Sequence, residues 1–233
     1  MSLFHFKQFT IQQEKTAMKV GTDGVLLGAW VKCNTAKKIL DIGAGTGLIS
    51  LMLAQQNPKA KITAIELETI ASLECKSNFT ASKWKENLEL IQGDIKDFNS
   101  LDVFDFIVSN PPFFNASFKN ENKNKTIARH TESLSFEVLL KKTSELLTKN
   151  GSANFVIPFS EKKHFIALAK SENLFPKRIT YVKGNETAPV KRILLEFTKT
   201  KQHLQENTLV IEISRHNYTK EYIDLTKEFY LNM

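Results

Sequence analysis

From Lys38 onward, short apolar runs alternate with amphipathic stretches. KKILDI (37–42) reads as a buried strand, and LISLMLAQQ, starting right after Gly47, as a helix. KITAIE (61–66) reads as a second strand, and Ile70, Leu73 and Phe79 follow at roughly helical spacing. NLELIQ (87–92) and FDFIVS (104–109) read as strands three and four. The pattern predicts a helix over 134–148, capped by Ser133 or Ser135 and stopped in a left-handed turn at Asn150-Gly151. SANFVIP (152–158) gives a fifth strand and 160–170 a helix. Two runs, 178–183 and 192–199, flank the turn-like GNETAP and predict an antiparallel hairpin. TLVIEI (208–213) suits an added edge strand. Tyr218, Tyr222, Leu225 and Phe229, at i, i+4, i+7 and i+11, predict a C-terminal amphipathic helix.

Strand–helix alternation with continuous apolar strands implies an α/β fold, an open and mostly parallel sheet covered on both faces. At 233 residues the chain suits one domain. Its expected parts are an arm and helix (1–36) over the ligand cleft, a catalytic core (37–200), and a closing strand and helix (201–233). Ligands of such sheets bind at the carboxyl ends of the strands.

Asp41-Ile42-Gly43-Ala44-Gly45-Thr46-Gly47 stands at such an end. Glycines let backbone turn sharply and approach a ligand. Glu66 closes the next strand 19 positions after Gly47, the spacing of a carboxylate that binds ribose hydroxyls. Glu68 competes for that role, and Glu66 is preferred because it ends the strand. The pattern is GxGxG led by an acid rather than GxGxxG, and a carboxylate suits a cationic ligand better than a pyrophosphate. Gly93-Asp94-Ile95 follows the third strand; a turn aspartate is the plainer reading of Asp94.

Ser109-Asn110-Pro111-Pro112-Phe113-Phe114 follows the fourth strand. An amine conjugated with a ring is a poor nucleophile. The Asn110 side-chain oxygen and the Pro111 carbonyl can each accept one of its N–H bonds, aiming the nitrogen lone pair at an electrophile. Pro111 and Pro112 fix φ and hold these acceptors in place. Phe113 can stack on a flat substrate, which for a nucleic-acid base means extrusion from its stack.

Composition narrows the partners. The net charge of +7 favours anionic ones. Lys119, Lys123, Lys125 and Arg129 oppose a single acid, Glu121, in a polar stretch that reads as a loop. Two cysteines cannot make a disulfide framework or a four-ligand zinc site, and no metal is expected. The longest apolar stretch, Val25 to Val31, is too short to span a membrane. No signal peptide is apparent, so a cytoplasmic location is expected.

The loop over 41–47 resembles the S-adenosylmethionine loop of class I methyltransferases, which implies a Rossmann-like, seven-stranded sheet with a C-terminal antiparallel hairpin. In that resemblance Asp41 lies near the methionine end of the cofactor and Gly43, Ala44, Gly45 and Gly47 beneath it. Glu66 and Leu67 meet the ribose, Asp94 accepts from the adenine amino group, and Ile95 packs on the ring. Lys19, Thr22 and Asp23, within Lys19-Val20-Gly21-Thr22-Asp23 and ahead of Leu26-Leu27-Gly28-Ala29-Trp30, extend the resemblance. So do Ala128-Arg129-His130 and the ending Tyr218-Thr219, Glu221-Tyr222 and Phe229-Tyr230-Leu231. Together they resemble the bacterial tRNA-Val adenine-N6-methyltransferase family. The resemblance implies tRNA as substrate and methylation of the adenosine 3′ of the anticodon. Lys19, Thr22 and Asp23 would cover the cofactor or the catalytic cleft, and Arg129 and His130 would order the loop over substrate or touch phosphate. Lys119, Lys123 and Lys125, with Lys183, Lys191 and Arg192, would meet other phosphates.

Two neighbouring chemistries stay open at this point. Glutamine-N5 methylation of release factors also uses Asn-Pro-Pro, but with Tyr next and a preceding helical domain, whereas 40 residues precede Asp41 here. Guanine-N2 methylation of ribosomal RNA tends to show His where this chain has Phe114. DNA adenine methylation and an idle, cofactor-binding subunit complete the alternatives. The intact set of Asp41, Gly43, Gly45, Glu66, Asp94 and Asn110 speaks against the last.

Overall fold

A computed structural model describes residues 2–100, 103–112 and 134–233. The strands are β1 (Leu3–His5), β2 (Thr10–Gln12), β3 (Lys38–Ile42), β4 (Lys61–Glu66), β5 (Leu88–Gln92), β6 (Phe104–Ser109), β7 (Leu147–Pro158), β8 (Phe175–Asn185), β9 (Val190–Thr198), β10 (Gln205–Ser214) and β11 (Asn217–Tyr218). The helices are α1 (Thr22–Trp30), α2 (Leu48–Gln56), α3 (Thr69–Ala81), α4 (Phe136–Leu146), α5 (Lys162–Ser171) and α6 (Lys220–Thr226).

The main sheet runs β11-β10-β8-β9-β7-β6-β3-β4-β5. Strands β4, β3, β6 and β7 pair in parallel, β5 joins β4 in parallel, and β9 is antiparallel to both β7 and β8. The expected seven strands and hairpin are present as β3 to β9. Beyond them, β10 pairs in parallel with β8 and β11 pairs with β10, so nine strands make up the sheet rather than seven. Strands β1 and β2 form a separate hairpin, tied to the C-terminus by a bridge between Phe6 and Tyr230.

Both faces are covered. Ile39, Ile62, Phe106 and Val108 face a core shared with α1, α2 and α3, and Leu40, Ile42, Ile107 and Phe155 face one shared with α4 and α5. Helix α2 is buried continuously from Leu48 to Ala54 because α1 covers its outer side. Gly28 permits that crossing: a Cβ there would fall 2.5 Å from Met52 Sδ. Helix α1 is pinned to the sheet by Trp30, whose Nε1 donates to Thr180 Oγ1 (2.8 Å) while the Arg178 guanidinium lies 3.6 Å from the ring centroid.

Three local expectations are corrected. Helix α3 forms where predicted and Phe79 is buried, but Ile70 and Leu73 are 43% and 62% exposed; Ala71, Cys75 and Asn78 face inward instead. Its buried face is small and polar because it holds the N-terminal arm. Asn150 and Gly151 make no left-handed stop. Helix α4, capped by Ser135, gives way to strand at Leu147 with φ −80 and ψ 136, and Gly151 lies within β7. A Cβ on Gly151 would meet Leu147 Cδ1 at 2.7 Å and the Asp105 carbonyl oxygen at 2.8 Å, so this glycine supplies space beside β6. Finally, α6 is only seven residues long; Tyr218 belongs to β11 and Phe229 to the turn after the helix. Both cysteines are free and buried, as expected, and burial pushes the Cys33 thiol up to about 12. No helix among the described residues is long and apolar enough to cross a membrane, and among them no His/Cys/Asp/Glu cluster suits a metal.

Candidate active site

The ends of β3, β4, β5 and β6 are knotted together by hydrogen bonds. Gly43, Gly45 and Gly47 have φ of 72, 58 and 83, a left-handed run that side chains resist. Gly43 N and Ala44 N both donate to the Ile65 carbonyl, at 2.8 and 3.0 Å, so the loop leaves β3 by folding over the end of β4. Glu66 holds the loop's other side. Its Oε2 accepts from Gly45 N (2.7 Å), its Oε1 from Glu68 N (2.8 Å), and its carbonyl from Gly93 N (2.9 Å). Ser109 Oγ donates to the Ile42 carbonyl (2.7 Å), fixing the start of the Asn-Pro-Pro segment against the glycine loop. Glu68 caps α3, accepting from Ile70 N and Ala71 N.

Above this knot lies a cleft of about 440 Å³. Ile42, Ile65, Leu67, Ala71 and Ile95 supply apolar walls; Glu66, Glu68, Asp94 and Asn110 supply polar groups; Gly43 and Gly45 lie along it. A Cβ on either glycine would meet nothing within 4 Å, so the loop presents bare backbone to open space. No lysine or arginine among the described residues lines the cleft. Three carboxylates and no lining cation disfavour a pyrophosphate and suit an organic cation with a flat apolar part.

Asp41 lies behind the loop, fully buried, and does not line the cleft. Its Oδ2 accepts from Ser50 N (3.1 Å) and Ser50 Oγ (2.7 Å), which caps the start of α2. Its Oδ1 is buried with no partner among the described residues. Burial, helped by the nearby Glu66 charge, pushes its carboxyl up to about 7 against the two Ser50 bonds. An orphaned carboxylate oxygen below a bare glycine loop is a site for a positive charge. These features fit S-adenosylmethionine, whose methionine end and sulfonium are cationic and whose adenosine is flat.

The structure brings Gly43, Gly45, Glu66, Leu67, Asp94, Ile95, Asn110 and Pro112 to one cleft, with Pro111 buried beside it. The Asp94 carboxylate also accepts from Lys96 N (2.9 Å) and pairs with Lys96 Nζ (3.5 Å), so it shapes its own turn as well as facing the cleft. Ala44 and Gly47 lie in the loop away from the cleft. Lys19, Thr22 and Asp23 do not line it either. Lys19 Nζ donates to the Gln13 and Glu14 carbonyls, Asp23 pairs with Arg192 (2.8 Å), and Thr22 faces a second groove. Phe113, Lys119, Lys123, Lys125, Arg129 and His130 lie outside the described residues.

Sequence reasoning expected the arm over the cleft but did not name the residues that line it. Thr16, Ala17 and Met18 line the cleft, and α3 holds them there. Glu74 accepts from Lys15 N (2.7 Å) and Thr16 N (3.2 Å), while Asn78 exchanges bonds with Gln12 and donates to the Thr46 carbonyl (2.9 Å). The available signal was Glu74 and Asn78 themselves, polar residues one helical turn apart on an inward face.

The sheet order, the glycine loop and the cleft above it define the fold class, that of the class I methyltransferases. Solved structures agree on the fold. A predicted O-methyltransferase from Agrobacterium tumefaciens superposes with a TM-score of 0.71 at 18% identity, over 89% of this chain and 96% of that one. The family model described as methyltransferase small domain matches residues 17–171. The tRNA1(Val) (adenine(37)-N6)-methyltransferases of Flavobacterium psychrophilum and Bacteroides fragilis are each 46% identical over 99% of this chain, covering 100% and 98% of their own lengths. The chain belongs to the methyltransferase small domain family and, within it, to the tRNA1(Val) (adenine(37)-N6)-methyltransferases.

Proposed function

We infer that this protein uses S-adenosylmethionine to methylate N6 of the adenosine at position 37 of tRNA-Val. The observation that carries the reading is the convergence of Asn110, Glu66 and Asp94 on one cleft, in a chain 46% identical over its length to enzymes named for that reaction.

S-adenosylmethionine, when bound, supplies a methyl group on a positively charged sulfur. Glu66, fixed by Gly45 N and Glu68 N, keeps lone pairs for the ribose hydroxyls. Leu67, half exposed, and buried Ile95 would flank the adenine, with Asp94 placed to accept from its amino group. The Asp41 carboxylate would balance the cationic end from behind the glycine loop. The arm (1–36) closes the roof through Thr16, Ala17 and Met18.

The target amine enters at Asn110. The Asn110 side-chain oxygen and the Pro111 carbonyl accept its two N–H bonds, which draws the nitrogen toward tetrahedral geometry and turns its lone pair to the methyl. Both acceptors are held before substrate arrives, by the proline backbone and by the Ser109–Ile42 bond, so little reorganisation accompanies the reaction. The methylated nitrogen then sheds one proton. Neither a carboxamide nor a peptide carbonyl holds it at neutral pH, so it passes to water. Phe113 is assigned to stacking on the extruded base, and Lys119, Lys123, Lys125, Arg129 and His130 to the RNA backbone.

Incubation with labelled S-adenosylmethionine and a tRNA-Val transcript, followed by nucleoside digestion, tests the reading. The expected product is N6-methyladenosine at one site beside the anticodon. Label entering protein instead would overturn it.

A further inference from the structure

The ending that carries Tyr218, Tyr222 and Tyr230 has no role in the chemistry at Asn110, yet it builds a second concavity on the same edge of the sheet. Strands β8 and β10 run parallel to β7 and β6. Asn185 and Ser214 therefore lie at the carboxyl edge, as Asn110 does. There a groove of about 680 Å³ is walled by Phe4, Tyr218, Tyr230, Glu212 and Gly184, with buried Tyr222 as its floor. The rings are arranged in pairs: Tyr218 and Tyr222 centroids are 5.2 Å apart, Phe4 and Tyr230 6.2 Å. Phe4, Tyr218 and Tyr230 are only half-buried.

The groove lies close to the site, across the start of α1. Its inner wall is Thr22, the first residue of α1; two residues on, a Cβ on Gly24 would lie 4.0 Å from Asn110 Nδ2. One turn of α1 thus separates the aromatic groove from the carboxamide that receives the target amine. Charge around it is mixed but weighted positive. Lys183 precedes Gly184 and exposed Lys191 follows the same hairpin turn; exposed Arg215 and His216 form the turn between β10 and β11. Against them stand Glu212 inside the groove, Glu186 in the hairpin turn, and Asp23, which is paired with Arg192. Aromatic faces stack any base, flanking cations meet the backbone, and one interior carboxylate accepts from amino or imino hydrogens on a base edge.

Resting on the tRNA reading above, we propose that this groove holds a second unpaired nucleotide of the same RNA loop, next to the one that enters at Asn110. The occupant is a single-stranded RNA base stacked on Tyr218 and Tyr230, its amino or imino edge toward Glu212. Gripping a neighbour would set which nucleotide of the loop reaches Asn110.

The test uses the full-length protein, S-adenosylmethionine and a tRNA-Val transcript. Tyr218→Ala should raise the KM for tRNA about tenfold, the scale of one lost stacking contact, while leaving S-adenosylmethionine affinity by calorimetry unchanged. Tyr218→Phe should stay within about twofold of the unaltered protein, since the ring remains. Gly184→Trp fills the groove from its open rim, where a Cβ meets nothing within 4 Å, and should raise KM as Tyr218→Ala does without lowering the melting temperature. A tRNA KM unchanged in both Tyr218→Ala and Gly184→Trp, with the unaltered protein active on tRNA, would overturn the proposal. A change in sedimentation without a change in KM would also overturn it, and mark the groove as a contact between copies. No tRNA turnover by the unaltered protein would remove the functional reading itself.

Discussion

Over β3, β4 and β5 the carboxyl edge of the sheet is built from backbone. The glycine loop, the Glu66 carboxylate and the Gly93 turn bond one another beneath the cleft. At the other end, over β8, β10 and β11, the edge is built from side chains drawn from both ends of the chain, Phe4 with Tyr218, Tyr222 and Tyr230. The first construction suits a ligand of one fixed shape, which meets donors and acceptors that cannot move. The second suits a polymer whose bases share flat faces and differ at their edges. Helix α1 stands between them, with Thr22 in one site and Gly24 beside Asn110.

That contrast can be broken most sharply within the glycine loop. At Gly47 a Cβ would lie 2.6 Å from Phe79 Cε1 and 2.8 Å from Cys75 Sγ, both buried, on top of a left-handed φ. Gly47→Ala should cost roughly 2–5 kcal/mol of stability, from overpacking and backbone strain together. Gly43→Ala meets no neighbour and should cost about 1–2 kcal/mol, the strain alone. Thermal melts of the two variants check this; equal losses would mean the loop is not held against α3. Next in size, Glu66→Gln should weaken S-adenosylmethionine binding about ten- to a hundredfold by calorimetry, because it removes a charged acceptor shared by the loop and the ligand. It should leave tRNA affinity unchanged if the two ends are separate.

A pH series sharpens the same comparison. Burial holds the Asp41 carboxyl at about 7, above its ordinary value of 3.8, so the folded protein binds a proton there that the unfolded chain releases. This group's contribution to stability is therefore lost as pH rises from about 4 through 7, with the sign opposite to that of a salt-bridged acid. A cationic ligand favours the ionised form, so S-adenosylmethionine affinity should rise a few-fold as pH passes through 7, and Asp41→Asn should flatten the trend. A flat profile in the unaltered protein would remove Asp41 from the ligand's surroundings. The smallest effect is expected on the RNA side. Charge reversal of Lys123 and Lys125 should weaken tRNA binding and shallow its salt dependence, with S-adenosylmethionine affinity constant.

The two ends also differ in how far the sequence reveals them. Asp41 to Gly47, Glu66, Asp94 and Asn110 each stand at or just after the end of a strand, and their chemistry depends on spacing that a sequence displays directly. The roof and the groove depend on distant pairings. Glu74 reaches back 58 residues to Thr16, and Phe4 meets Tyr230 across nearly the whole chain. Local misreadings have the same origin. Ile70 and Leu73 have the right spacing for a buried face, but α3 turns Glu74 and Asn78 inward to hold the arm. Gly151 looks like a helix stop because Asn-Gly favours one, yet its place is set by the Asp105 carbonyl of β6, which leaves no room for a side chain.

The account turns on Asn110, which lines the cofactor cleft and lies beside α1, and Asn110→Ala tests it most directly. Calorimetry with S-adenosylmethionine and single-turnover methyl transfer to tRNA-Val should be measured on the same preparation. The account predicts cofactor affinity within about twofold of the unaltered protein and transfer slowed by about a hundredfold or more, the scale for loss of a preorganised acceptor. Transfer at an undiminished rate would contradict it.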